Sequence, residues 1–223
     1  MPHRRVVVFS SAATRMAPSP LDPEIVNLLK KSGLGIPGSD LQLEQEYRVA
    51  LSPYIKRVRD LFRGSFQHMS SAIQDANGAC LGIDHYVISP RYGIIDLDER
   101  IIPYRFSLAR SSRAEVQQAS ARLGIGERLR EIMSKGYDLC FVVANKNDLM
   151  LLHDPSSGKD LASMCPSLTV ISAGSASFLF DEKVRFFGIS NIGKRSRKFL
   201  HLLNELTTLP LSNYNGNQNP DGR

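Results

Sequence analysis

Four cations stand together at Lys194, Arg195, Arg197 and Lys198, inside the run Gly188-Ile-Ser-Asn-Ile-Gly-Lys-Arg-Ser-Arg-Lys198. The run follows a strand-like segment, and Phe199, Leu202, Leu203 and Leu206 then recur at the spacing of one helix face. The cations therefore fall in the first turn of a helix, where the macrodipole is already positive and each costs a few tenths to about 1 kcal/mol. An anion on the free N–H groups would relieve that conflict. Six basic residues lie between Lys183 and His201, and no acidic one offsets them. The segment reads as a phosphate site or as a solvated basic face. Its glycine spacing is not that of a P-loop, so nucleotide hydrolysis does not follow.

Two further segments carry the same kind of signal. Lys56, Arg59 and Arg63 share one face if residues 56–63 are helical, with Arg57 beside them. They form a binding stripe or an ordinary solvent face. Lys30-Lys-Ser-Gly-Leu-Gly35 lies between two helical stretches, which is either the core of a helix–hairpin–helix or a plain connector. Enzymatic constellations are weaker. The five histidines are isolated, with no metal-binding spacing and no cysteine partner. Ser172-Ala-Gly-Ser-Ala-Ser177 is not a nucleophile elbow and reads as a tight turn of small residues. Asp96, Asp98 and Glu99 stand beside Arg91 and Arg100, where local ion pairing explains them without a metal. No cofactor motif and no metal site is expected.

The elements that must position these groups alternate between strands and helices. Strands are expected at about 4–9, 83–89, 137–144, 168–173 and 184–189, from their apolar, β-branched content. Helices are expected at 23–32, at 40–62 with a break at Pro53, at 127–135 and at 194–206. Ser112-Arg-Ala-Glu115 is a capping box that opens one more. Residues 91–104 read as a packed loop, and 153–165 as a short helix or loop. This pattern predicts an α/β protein, one domain over residues 1–210, with a mixed or mainly parallel central sheet flanked by helices. Residues 211–223 are rich in Asn, Gly, Pro and Gln and read as a disordered polar tail.

Composition sets bounds around this reading. Lys plus Arg outnumber Asp plus Glu by 28 to 22, a net charge of +6, and arginine predominates at 19 to 9 lysines. Guanidinium forks suit phosphate contacts, although arginine enrichment also follows from genome composition. No apolar run is long enough for a membrane span, and the N-terminus lacks a secretory leader. Three scattered cysteines make no disulfide framework. A cytoplasmic location is expected.

Four blocks, in order, resemble the peroxide-stress YaaA family. Ser89-Pro-Arg-Tyr-Gly-Ile-Ile-Asp-Leu-Asp-Glu-Arg-Ile-Ile-Pro-Tyr-Arg105 is similar to its strand, Tyr-Gly and Pro-Tyr-Arg signature. Val7-Val-Phe-Ser-Ser-Ala-Ala-Thr14 with Ser19-Pro20 resembles its opening strand and loop. Phe62-Arg-Gly64 resembles its Phe-Lys-Gly, and Gly193-Lys-Arg-Ser-Arg197 its C-terminal basic segment. The resemblance implies a positively charged cleft, DNA binding and a role in protection from peroxide. It places Thr14, Arg63, Tyr92, Tyr104, Arg105, Lys194 and Arg197 on that cleft. Where the family's opening loop carries Lys this chain has Ala13, so the resemblance implies that the role of that Lys is either lost or supplied by Arg15.

The leading expectation is therefore a nucleic-acid-binding protein with a basic cleft lined by Thr14, Arg15, Arg63, Tyr92, Tyr104, Arg105, Lys194, Arg195, Arg197 and Lys198. The alternative is an enzyme acting on a nucleobase, nucleoside or modified tRNA base, with Tyr92 and Tyr104 stacking the base.

Overall fold

The run Val6-Val-Val-Phe9 has no exposed surface at any position. It lies in β1 (Arg4–Ser11), at the middle of the sheet, where a strand covered on both faces reads as continuously apolar. The computed structural model describes residues 4–13, 15–77, 81–153, 161–165, 167–179 and 184–208. Thr14, Cys80 and residues 211–223 lie outside them.

Five of the six strands of the main sheet are parallel. β3 (Leu81–Ser89) and β6 (Leu139–Val143) flank β1, and β7 (Leu168–Ser172) and β8 (Arg185–Gly188) follow β6. β4 (Gly93–Asp96) folds back antiparallel on β3 and makes the other edge. The spatial order β4-β3-β1-β6-β7-β8 means that the chain steps from β1 to one side, then returns past it to build the other. This is a doubly wound sheet, and its strand order reverses between β1 and β6. All five predicted strands share the sheet, as expected.

Alternate residues of β1 face opposite helical layers. Val6 and Val8 meet α4 (Ser65–Asn77) and α9 (Ile192–Thr208) through Met69, Ile73, Phe199 and Leu202. Val7 and Phe9 meet α5 (Arg113–Arg122), α6 (Ile125–Met133) and α7 (Lys146–Leu152) through Val116, Leu129, Ile132 and Leu149. Each such aliphatic or aromatic side chain contributes about 1.5–3 kcal/mol on burial. A short helix, α8 (Leu161–Met164), completes the second layer. The Ser112 box forms as predicted: the Glu115 N–H donates to Ser112 Oγ, and the Ser112 N–H donates to the Glu115 carboxylate.

A third unit covers the β4 end. It contains α1 (Pro23–Lys31), α2 (Glu44–Ala50), α3 (Val58–Leu61) and a two-stranded ribbon of β2 (Lys56–Arg57) with β5 (Arg100–Ile101). The long helix expected over 40–62 does not exist. Pro53 sits in a 3-10 turn at Ser52–Tyr54, and the chain then extends to pair with residues 100–101. The expected loop over 91–104 likewise contains β4 and β5, because its apolar residues complete the sheet edge and the ribbon.

Arg91 holds this unit in place. Its side chain has no exposed surface, pairs with Glu44 at 2.6 Å, donates to the Gly38 carbonyl and lies over the rings of Tyr47 and Tyr92. On the outer side of β3, beyond the reach of β4, the Asn77 amide donates to the Ile83 carbonyl and accepts from the Ile83 N–H. No described helix is long and apolar enough to cross a membrane.

Candidate functional site

In a doubly wound sheet the crevice lies beyond the carboxyl ends of the strands where the order reverses. Here that place is framed by Ser11 at the end of β1, Ala12 after it, and Ala144 and Asn145 after β6. A two-lobed cleft opens there. The first lobe, about 780 Å³, includes Pro90, Tyr104, Arg105, Phe106 and Asp148 in its walls. The second, about 710 Å³, is bounded by Gly64 and Ser65 at the start of α4 and by Asn191 and Ile192 at the start of α9. Ala12, Ala13, Arg15, Arg63 and Asn145 line both lobes.

The floor between β1 and β6 is a polar network. Asn145 caps α7, accepting the Asp148 N–H on its side-chain oxygen at 2.9 Å. The Asn145 backbone N–H donates to Ser11 Oγ at 2.9 Å, and its amide donates to Asp148 Oδ2 at 2.6 Å. The Ser11 side chain also bonds to Asp148. Asp148 is only 5% exposed although it lines the first lobe. Burial pushes its carboxyl up to about 6, against the pull of Ser11, Asn145 and the nearby Arg195 charge. A carboxylic acid that titrates close to neutral pH in a cleft can take or give a proton there.

The first lobe has an aromatic wall. Tyr104 is buried, its hydroxyl 2.9 Å from Ser89 Oγ, and burial raises its pKa. Ser89 Oγ also accepts the Arg91 and Tyr92 N–H groups, which shapes the turn into β4. Three guanidinium groups surround this wall. Arg15 and Arg105 are exposed, and the Arg63 side chain donates to its neighbour's carbonyl, Phe62 O, at 3.3 Å. No ion pair joins any of the three to a carboxylate among the described residues.

The structure brings Arg15, Arg63, Tyr104 and Arg105 to this cleft, puts Arg195 in the wall of the second lobe, and leaves Tyr92, Lys194, Arg197 and Lys198 off both lobes. Tyr92 turns away: its ring edge meets Tyr104 at 5.6 Å and its hydroxyl donates to Glu44 at 3.0 Å. Arg195 points inward, donating to the carbonyls of Ile189 at 2.6 Å, Ala144 at 3.0 Å and Ser190 at 2.7 Å. It is a clamp between α9 and β6, not a cation waiting for phosphate. Lys194 and Arg197 are exposed and line neither lobe, and Lys198 lies 4.5 Å over the Phe187 ring. The expectation that Tyr92 and Lys194 line the same cleft as Arg63 and Arg105 is therefore corrected. Thr14 lies outside the described residues, between two neighbours that line both lobes.

The other basic segments resolve differently. Arg57 and Arg59 pair with Asp98 at 3.3 and 2.6 Å, and Lys56 donates to the Ala17 carbonyl. Asp98 thus pairs with the expected basic stripe, which is not helical throughout, and not with its neighbours: Arg91 pairs with Glu44 and Arg100 donates to the Ile55 carbonyl. Gly33, at φ +70°, ends α1: the Leu34 N–H returns to the Leu29 carbonyl, so the segment closes a helix and α2 starts only at Glu44.

Sequence reasoning missed Ser11, Asn145, Asp148 and Phe106. The available signal was Asn145-Lys-Asn-Asp148, an N-cap pattern directly after a buried strand. Among the described residues no group of three or more His, Cys, Asp or Glu is placed to hold a metal. Fold and site define a doubly wound α/β protein with a cationic, partly aromatic cleft at its switch point. The chain matches no family model and no curated protein significantly.

Proposed function

We propose that this chain binds nucleic acid through single nucleotide units seated in the switch-point cleft. Tyr104 and Phe106 would face a base in the first lobe, and Arg15 and Arg63 would hold phosphate between the lobes. The observation that carries the reading is three guanidinium groups, at Arg15, Arg63 and Arg105, gathered around one cleft without a carboxylate partner among the described residues. Guanidinium forks match phosphate oxygens, and aromatic faces accept any base. The YaaA resemblance extends the proposal to DNA and to protection from peroxide. Those two parts rest on the four collinear sequence blocks alone.

The test is a salt titration of binding to short single-stranded and duplex oligonucleotides. Affinity should fall with salt at a log–log slope of roughly −0.7 to −0.9 for each phosphate contact. Arg15→Ala and Arg63→Ala should each flatten the slope by about one unit. Lys194→Ala with Arg197→Ala should leave it nearly unchanged, since neither side chain lines a lobe. No binding at low salt, or an unaltered slope in the cleft variants, would remove the reading.

A further inference from the structure

The two lobes differ in chemistry, and Asp148 belongs to only one of them. Arg15 and Arg63 border both lobes, and the starts of α4 and α9 bound the second alone, which suits a phosphate there. Tyr104, Phe106 and Pro90 give the first an apolar wall, which suits a base. Asn145 lines both, so a nucleotide spanning the cleft would carry its sugar past Asn145. Asp148, three residues on and hydrogen-bonded to Asn145, then stands at the junction of sugar and base.

Resting on the nucleotide reading above, we propose that Asp148 is the general base for hydrolysis of the N-glycosidic bond of a nucleotide held in this cleft. Its carboxylate takes a proton from a water molecule as the water oxygen bonds to C1′. The C1′–N bond breaks, and its electron pair leaves with the base. The Asp148 carboxyl then returns the proton to the departing nitrogen. Water is consumed, a free base and an abasic sugar are formed, and Asp148 is regenerated. Chemistry at that bond requires the base to be out of the stack, so the substrate is single-stranded or carries an extruded base.

The surroundings of Asp148 fit the role. The Ser11 and Asn145 donors orient the carboxylate, and burial leaves it more basic than a solvated one. The charged and titratable groups that face it are Arg195 from α9 and Tyr104, and Arg15, Arg63 and Arg105 share its lobe. Arg195 stays cationic through the neutral range, so the profile between pH 4 and 8 belongs to Asp148.

The experiment incubates the full chain with single-stranded oligonucleotides containing each of the four DNA bases, uracil or hypoxanthine. Free base is measured by chromatography, abasic sites by alkaline strand cleavage, and binding to the same oligonucleotides in parallel. Base release should rise with pH through about 6 and then level off, because only the ionised carboxyl accepts a proton. Asp148→Asn should lower release by roughly 10²- to 10⁴-fold, the range for a positioned general base, and keep affinity within about threefold. Binding without release from any substrate would overturn the inference and leave the nucleotide reading standing. Release that survives Asp148→Asn, or phosphate release with the glycosidic bond intact, would also overturn it. Absence of binding would remove both.

Discussion

Asp148 is held in a state that the fold itself disfavours. Its unfolded carboxyl ionises near 3.8 and its folded one at about 6. Below 3.8 it is neutral in both states and costs nothing. Between 3.8 and 6 the folded form binds the extra proton, so stability falls as pH rises, and the loss is complete above 6. That gap corresponds to about 3 kcal/mol. Asp148→Asn should therefore stabilise the protein by about 1–3 kcal/mol at pH 8 and by little at pH 3.5, as read by urea unfolding at each pH. An equal effect at both would mean that the residue acts only as part of the α7 cap. His85 carries the opposite sign. Burial lowers its ring to about 3, its Nε2 lies 2.8 Å from Ser10 Oγ, and it is neutral in the fold. Its contribution is full above 6.5 and is lost as pH falls toward 3, a dependence that His85→Gln should remove. Neither residue was legible as special in the sequence. A lone Asp after a strand and a lone His within one acquire their properties from strands that are distant along the chain.

The last helix shows how much of an element the sequence discloses. Its position, its apolar face and its basic first turn were all legible, because periodicity is local. The direction of each cation was not. Arg195 falls on the inward side of that turn and meets the Ala144 carbonyl, a residue 51 positions away. The charge pattern alone suggests that removing it would relieve the helix dipole. The geometry reverses that expectation, since Arg195→Ala orphans carbonyls at Ala144, Ile189 and Ser190. An unsatisfied buried acceptor costs about 1–3 kcal/mol, and only the bond to the Ala144 carbonyl is buried, so a net loss of about 1–3 kcal/mol is expected while water takes up the other two. Arg197→Ala is the matched control and should be near neutral. Chemical denaturation of the two variants separates the readings. The break after α2 was half legible in the same way: Pro53 announces an interruption, but the pairing of Lys56 and Arg57 with β5 requires residues 100–101.

For the whole molecule, class and layer order followed from the alternation of strands and helices. The site did not, because the sequence does not state that β6 returns to lie beside β1. That reversal brings Ser11 against Asn145 and creates the cleft. The unit beyond β4 is tied in by the buried Arg91 guanidinium, and Arg91→Leu should cost about 1–3 kcal/mol by taking that cation from Glu44, which keeps Arg48 and the Tyr92 hydroxyl. Limited proteolysis should then cut between residues 38 and 50. The sheet also has a boundary to defend. Among the described residues the first half of β3 has no strand on its outer side, yet Asn77 occupies both the N–H and the carbonyl that Ile83 turns outward. One amide side chain thus impersonates the neighbouring strand, and a second molecule arriving at that flank finds the first rung of the ladder already taken. The Asn77 contact therefore guards the protein against stacking edge to edge with its own kind.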